Sequence, residues 1–523
     1  MAVAPNSLAA QSALDVLRDG GNAIEAMIAA AATIAVVYPH MNSIGGDSFW
    51  LLSIPGQAPG AIDACGAAAQ AATFDWYRER GITGAIPFRG GVAANTVAGT
   101  ISGWGAAYEL SVRTLKGRMP LRRLLADAIH YAESGIPVTQ SQASNTTNKR
   151  AELEPQPGFA QTFLVDGQPP TVASLFHQPR MAATLKRIAK AGTEDYYRGE
   201  LAKSIAADLQ SVGSPITRED LAAHRAILRD PLELSHSAGK VYNMTPPTQG
   251  LVSLMILGIL DELDVSRHGP MTADYVHLCV EATKQAFRVR DAHITDPTRM
   301  TVDPRQFLTR EKLRELAANV DRRRAAPWGK GKGPGDTIWM GVVDGEGRAV
   351  SFIQSIYHEF GSGVVLAKSG INWQNRGCSF SLNPAHINAL APGKKPFHTL
   401  NPALARLDDG RLMVYGTMGG DGQPQTQSAV FTRCIVHGMS PQAAITAPRW
   451  LLGRTWGQTS DSLKLESRFD AHVARTLSDY GHDVEILQAF DETVGHAGAI
   501  IRHPNGVLEG GADPRSDGAV AAF

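Results

Sequence analysis

Asp336-Thr337 is the residue pair best placed for covalent chemistry in this chain. The run G-K-G-K-G-P-G over 329–335 ends at Asp336, and a strand-like segment starts at Thr337. That layout suits a chain that cuts itself before Thr337. The Thr337 hydroxyl would attack the Asp336 carbonyl, an N-to-O acyl shift would give an ester, and water would release it. A free hydroxyl is a weak nucleophile, but the liberated α-amine lies within reach of its own Oγ. With an ordinary pKa of about 7.7–8.0, that amine is a usable base at neutral pH. Threonine paired with its own N-terminus is a known variant of triad logic. On spacing alone, a linker followed by an ordinary β-hairpin is the commoner arrangement.

The elements around this pair follow from periodicity. Residues 338–343 alternate as a strand half-buried on both faces, Asp344-Gly345-Glu346-Gly347 is a hairpin turn, and 349–357 returns as the partner strand. Short β-type runs also fall at 363–366, 403–407, 411–416 and 497–502, with helical stretches near 425–438 and 468–480. Helices are expected over 7–37 with a break at Gly20-Gly21, and over 120–135, 180–210, 218–225 and 270–293. In the last of these, Tyr275, Leu278, Ala282 and Ala286 share a face. His40 to Leu52 turns through Gly45-Gly46 into a strand. The first two-thirds is thus helix-rich and the last third strand-rich, with 329–335 as the linker between them.

Composition narrows the function classes. Lys+Arg and Asp+Glu are both 50 in 523 residues. A net charge of zero offers no electrostatic footprint for nucleic acid or an anionic membrane. The longest apolar run, Met27 to Tyr38, is about 12 residues against about 20 needed to cross a bilayer, so it reads as a buried helix. Cys65, Cys279, Cys378 and Cys434 show neither zinc spacing nor a disulfide framework. A reducing, cytoplasmic compartment fits, and the N-terminal residues do not read as a secretory signal. G-x-S-x-G, H-E-x-x-H and Walker A patterns are absent, and Asp19-Gly20-Gly21-Asn22 lacks the full dinucleotide fingerprint.

Several separate motifs, in order, resemble the γ-glutamyltranspeptidase family of N-terminal-nucleophile hydrolases. They are L-A-A-Q-S-A-L-D-V-L-R-D-G-G-N-A near the front, P-H-M-N-S-I-G-G-D-S-F, Pro246-Pro247-Thr248-Gln249-Gly250, E-A-T-K-Q-A-F-R-V-R-D, the segment D-T-I-W-M-G-V-V-D-G-E-G-R-A-V-S-F, F-G-S-G, Thr417-Met418-Gly419-Gly420, and the tail from Gly511 to Gly518. The resemblance implies an α+β fold, a four-layer αββα sandwich. It implies cleavage into a fragment 1–336 and a fragment 337–523 that remain one globule as a heterodimer, with further oligomerisation left open. Thr337 is then the nucleophile and Asp336-Thr337 the cleavage site. Gly419 and Gly420 match the glycines whose N–H groups form the oxyanion hole, and Ser355 falls where the family has a second threonine touching the nucleophile. No metal or organic cofactor is implied.

Substrate recognition departs from the family. Cys65, in Ile62-Asp63-Ala64-Cys65-Gly66, stands where the family has the arginine for the γ-glutamyl α-carboxylate. The segment Gln374-Asn375-Arg376-Gly377-Cys378-Ser379-Phe380-Ser381 lacks the acid that holds the α-amine. Tyr357 replaces an asparagine, and His398-Thr399 replaces a Ser-Ser pair. A desolvated zwitterion needs both partners, and each lost charge-assisted bond costs about 1.5–3 kcal/mol. The strings Q-S-I-Y-H-E-F-G-S-G and W-Q-N-R-G-C-S-F-S-L resemble a branch that includes an oxamate amidohydrolase. The expectation is therefore a self-processing amidohydrolase acting on a small, planar, anionic amide. Tyr357, His358, Asn375, Arg376, His398 and Thr399 are the candidate contacts, with Arg376 suited to a carboxylate. Glu359 reads as a solvated charge. The alternatives are a γ-glutamyl hydrolase or transferase, an acylase, and an unprocessed binding protein on the same scaffold.

Overall fold

Asp344 closes the hairpin that carries Thr337. Its Oδ1 accepts the N–H groups of Glu346 and Arg348, each at 3.0 Å, and its Oδ2 takes Arg348 Nε at 2.6 Å. The same Oδ2 accepts the Ala23 N–H at 3.0 Å, tying the hairpin to the start of helix Ala23–Val37. The computed structural model describes residues 1–329, 336–454 and 460–523, with Asp336 described by its backbone alone. The expected linker beyond Gly329 lies outside the described residues.

The hairpin strands Asp336–Val343 and Ala349–Tyr357 sit mid-sheet. The first sheet is antiparallel throughout, in the order Ala519–Ala521, Ala2–Ala4, Asp336–Val343, Ala349–Tyr357, Asp47–Ser53, Gly60–Ala64, Ile227–Arg229. The second, also antiparallel, runs Leu508–Ala512, Ala497–Arg502, Leu412–Thr417, Ala403–Leu407, Gly239–Asn243, Leu232–His236.

Among the described residues, the main apolar cores on either side of the two sheets follow from the strand period of two. Phe49, Leu51, Trp339, Ile353, Leu404, Val414 and Ile500 fill the space between the sheets. Ile338, Met340, Val342 and Phe352 point the other way, into helices Ser7–Arg18 and Ala23–Val37. On the far side, helices Gly250–Glu262 and Ala273–His293 cover Leu234, Ala405 and Met413. The layers are helix, sheet, sheet, helix, as the expected αββα sandwich requires. Helix Ala23–Val37 is buried over its full length, because its run of alanines presents a smooth surface on every side. Asn22 and Glu25 start it with a reciprocal capping box.

Two expectations need correction. The Thr337 strand is buried on both faces rather than half-buried, because it lies between a helix layer and a second sheet. Residues 363–366 do not form a strand; only Val365 makes an isolated bridge, to Asn372.

Candidate active site

Thr337 lies one residue into its strand, buried, on the face directed between the sheets. Opposite it the ladder slips. Ile338 pairs with Gln354 and Asp336 with Tyr357, so Ser355 and Ile356 together oppose the single residue Thr337. This is a β-bulge, a device that re-aims side chains at a strand end. Ser355 keeps the inter-sheet face, and its Oγ accepts the Tyr357 N–H at 2.8 Å. On its other side Ser355 pairs with Asp47. Thr337, Ser355 and Asp47 therefore form a row across three neighbouring strands. Past the bulge, Tyr357 adopts φ +82°, a conformation that costs energy for a bulky residue and that its surroundings must hold.

Close backbone approach explains Gly45-Gly46. A Cβ on Gly46 would fall 2.0 Å from the Ser355 carbonyl oxygen, and one on Gly45 would fall 2.2 Å from that of Asn372. Asp47 enters the site directly from this pair.

The expected contacts converge. Arg376 is buried, with its guanidinium carbon 3.7 Å from the centre of the Tyr357 ring, a cation–π stack. Its Nη1 donates to Thr399 Oγ1 at 3.3 Å, whereas Nε and Nη2 have no protein partner. Burial lowers the Arg376 guanidinium from its ordinary value, with Tyr357 and Asp47 opposing the shift. Burial also raises the Tyr357 phenol, which stays protonated. Asn375 serves as a brace: its Oδ1 accepts the His358 N–H at 3.2 Å and its Nδ2 donates to the Phe88 carbonyl at 2.9 Å. The His358 ring packs between Tyr357 and Phe88, at 4.4 and 4.8 Å. Glu359, expected in solvent, is buried, and its carbonyl accepts from Arg89 at 2.7 Å.

The second sheet supplies the other wall. Strand Leu412–Thr417 delivers Gly419 and Gly420, at φ +115° and +51°, values that glycine adopts freely. They lead into helix Gln423–Phe431 through the turn Gly420–Gly422. Gln249 ties this turn to the His398 loop, its Nε2 donating to the carbonyls of Thr399 at 3.0 Å and Gly420 at 2.8 Å. The Pro-Pro-Thr-Gln-Gly motif thus acts through its glutamine. His398 hydrogen-bonds by its backbone to Pro247 and Gln249.

Asp47 was not among the residues expected from sequence. It is fully buried, with Oδ2 3.0 Å from His398 Nε2 and Oδ1 accepting the N–H groups of Gly66 and Gly99, each at 3.0 Å. Burial raises its carboxyl to about 7 against the pull of Gly66 and Arg376. Burial, then the Arg376 charge, pushes the His398 imidazole well below its ordinary value. The signal available in sequence was the acid directly after the Gly-Gly pair.

The corner around Cys65 is spent internally. Cys65 is buried with its thiol raised by burial, and both Lys395 Nζ (2.7 Å) and Arg229 Nε (3.1 Å) go to Asp63 Oδ2. Elsewhere, His277, Glu281 and His482 form a grouping of metal-ligand type among the described residues. Its members are already partnered, with His277 Nδ1 2.8 Å from His482 Nε2 and Lys284 Nζ 2.6 Å from Glu281. His277 also bonds the Asp321 carbonyl at 2.8 Å, and Lys284 that of Ala326 at 2.7 Å, fastening the segment ahead of the expected cut. Among the described residues, no helix is long and apolar enough to cross a membrane.

Comparison with known proteins agrees with this architecture. A family model described as gamma-glutamyltranspeptidase matches residues 9–523. The chain is 60% identical over 524 residues to an oxamate amidohydrolase proenzyme of Klebsiella pneumoniae, covering 100% of this chain and 98% of that protein. It is 39% identical to a glutathione hydrolase-like YwrD proenzyme of Bacillus subtilis, with coverage of 100% and 98%. A cephalosporin acylase from Bacillus halodurans superimposes with a TM-score of 0.89 at 34% identity, over 100% of this chain and 95% of that one. The sandwich, the ordered motifs and these similarities together show that the chain belongs to the γ-glutamyltranspeptidase family, as an enzyme of the N-terminal-nucleophile hydrolase type.

Proposed function

We propose that the chain cleaves itself between Asp336 and Thr337 and then hydrolyses a small amide bearing a carboxylate next to the reacting carbonyl, with oxamate as the leading candidate. The buried Arg376, with two donors unpartnered and its face stacked on Tyr357, carries this reading. A buried guanidinium with unmet donors is costly, and a carboxylate accepting from Nε and Nη2 side by side relieves that cost. With Asp63 taking Lys395 and Arg229, and Cys65 in the arginine's place, the zwitterionic γ-glutamyl head lacks its usual grip. The 60% identity to an oxamate amidohydrolase proenzyme supports the same substrate class.

The steps follow from the Thr337 row. The α-amine freed by cleavage takes the proton from Oγ as Oγ attacks the amide carbon. The N–H groups of Gly419 and Gly420 receive the developing oxyanion. The ammonium passes its proton to the departing nitrogen, which leaves as ammonia, and water then attacks the Thr337 ester with the amine again as base. Ser355 positions Thr337 from the bulge. The four unpaired cysteines fit the cytoplasmic placement expected from composition.

Intact mass and ammonia release test the proposal together. Purified protein should show a fragment beginning at Thr337 and release ammonia from oxamate, and Thr337→Ala should do neither. Arg376→Met should raise KM for oxamate about 10–100-fold, the worth of a lost charge-assisted pair, with less effect on an uncharged amide. Turnover of glutathione or γ-glutamyl anilide at rates matching oxamate would overturn the substrate assignment.

A further inference from the structure

The Asp47–His398 pair lies in the candidate site, yet the proposed steps assign it no work. Asp47 belongs to the first sheet and His398 to the loop before strand Ala403–Leu407 of the second. Both are fully buried. Two backbone N–H groups hold Asp47 Oδ1, so the carboxylate arrives oriented, with Oδ2 aimed at His398 Nε2 at 3.0 Å. Burial holds this carboxyl at about 7 against these donors and the Arg376 charge, so above that pH it is ionised and accepts. The hydrogen in this bond then sits on Nε2, and the lone pair of the ring sits on Nδ1. That nitrogen is buried without a protein partner. The next residue, Thr399, takes Nη1 of Arg376, so an open acceptor and the open guanidinium donors belong to one cluster.

We propose that Asp47 is a positioning residue that fixes His398 as the Nε2–H tautomer, so that Nδ1 accepts a hydrogen bond from the substrate's amide N–H and the site selects primary amides over esters. The inference rests on the amidohydrolase reading above. A two-carbon amide acid has the matching ends, with the carboxylate on Arg376 and the NH2 group toward His398. His398 stays neutral in this role, because burial and Arg376 hold its imidazole well below the ordinary range. It is an acceptor rather than the acid that protonates the leaving group. A carboxamide at position 47 reverses the polarity, since its NH2 donates to Nε2 and leaves the ring hydrogen on Nδ1, facing the substrate's own donors.

Nitrogen NMR of histidine-labelled, cleaved protein tests this directly, with the His398 signals assigned by their loss in His398→Gln. At about pH 8.5, where Asp47 is ionised, the parent should show Nε2–H and Asp47→Asn should show Nδ1–H. In kinetics, Asp47→Asn should lower kcat/KM on the order of a hundredfold for oxamate but only a few-fold for the methyl ester of oxalic acid, which has no N–H to offer. Equal losses for amide and ester, or an Nδ1–H tautomer in the parent, would overturn the proposal and leave the pair a strut between sheets. Should Asp47→Asn fail to fold, His398→Gln, which keeps an acceptor, should retain the amide preference that His398→Leu loses. If the parent turns over neither compound, the substrate reading falls, while the tautomer measurement still decides the role of Asp47.

Discussion

At the scale of single residues, charge is placed where water cannot reach it. The Asp47 carboxyl is raised to about 7 by burial, against an ordinary value near 3.8. Between those values the folded chain holds a proton that the unfolded chain has released, so this group's contribution to stability is full below about pH 4 and is lost as pH rises through about 7. Asp47→Asn removes that dependence. The variant's thermal midpoint relative to the parent should be more favourable at pH 8 than at pH 4.5, by at most about 4 kcal/mol and a few degrees. A difference that does not change with pH would show that Asp47 is not shifted. Asp47 was also the residue least legible in sequence. On spacing alone the run before Thr337 reads as a linker ahead of a hairpin, so Thr337 and Gly419-Gly420 stand out as candidates through the family motifs. An acid after two glycines looks like part of a turn, and its partner His398 lies 351 positions away. Glu359 failed for the converse reason. Hydropathy placed it in solvent, but the chain folds back over it.

At the scale of elements, periodicity carried most of the fold. Strands 349–357, 403–407 and 497–502 run where alternation places them, and Ala23–Val37 is the buried helix its composition implies. Alternation could not show what covers the second face of the Thr337 strand. The answer turns on Trp339, two residues from Thr337, whose Nε1 donates to Ser351 Oγ at 2.9 Å. Its ring lies against Gly341, Gly416 and Gly498, and a Cβ on Gly416 would fall 2.1 Å from Trp339 Cδ1. Gly416→Ala should therefore push the indole and its strand, costing about 1–3 kcal/mol of stability and slowing the appearance of the Thr337 fragment. A thermal scan and a cleavage time course check both effects, and a variant that melts and processes like the parent would show that the indole moves freely.

At the scale of the whole molecule, the sheets ignore the proposed cut. Strand Ala2–Ala4, from ahead of it, pairs with Gly341 and Val342 on one side and with Ala519–Ala521 on the other, all from beyond it. In the second sheet, Gly239–Asn243 pairs with Ala403–Leu407 across the same divide. Two fragments made by cleavage should therefore elute together and melt in one transition, and separation without denaturant would refute that. The interleaving also dictates an order of events. Thr337 has its neighbours only once strands from both ends of the chain have closed around it, so assembly must precede the break. During synthesis the uncut peptide acts as a tether that keeps the halves at high effective concentration while they pair. Halves expressed as separate polypeptides would lack that tether, facing bimolecular pairing with exposed sheet edges and the aggregation such edges invite. The proposed self-cleavage would then be the closing step of folding, taken when the tether has done its work.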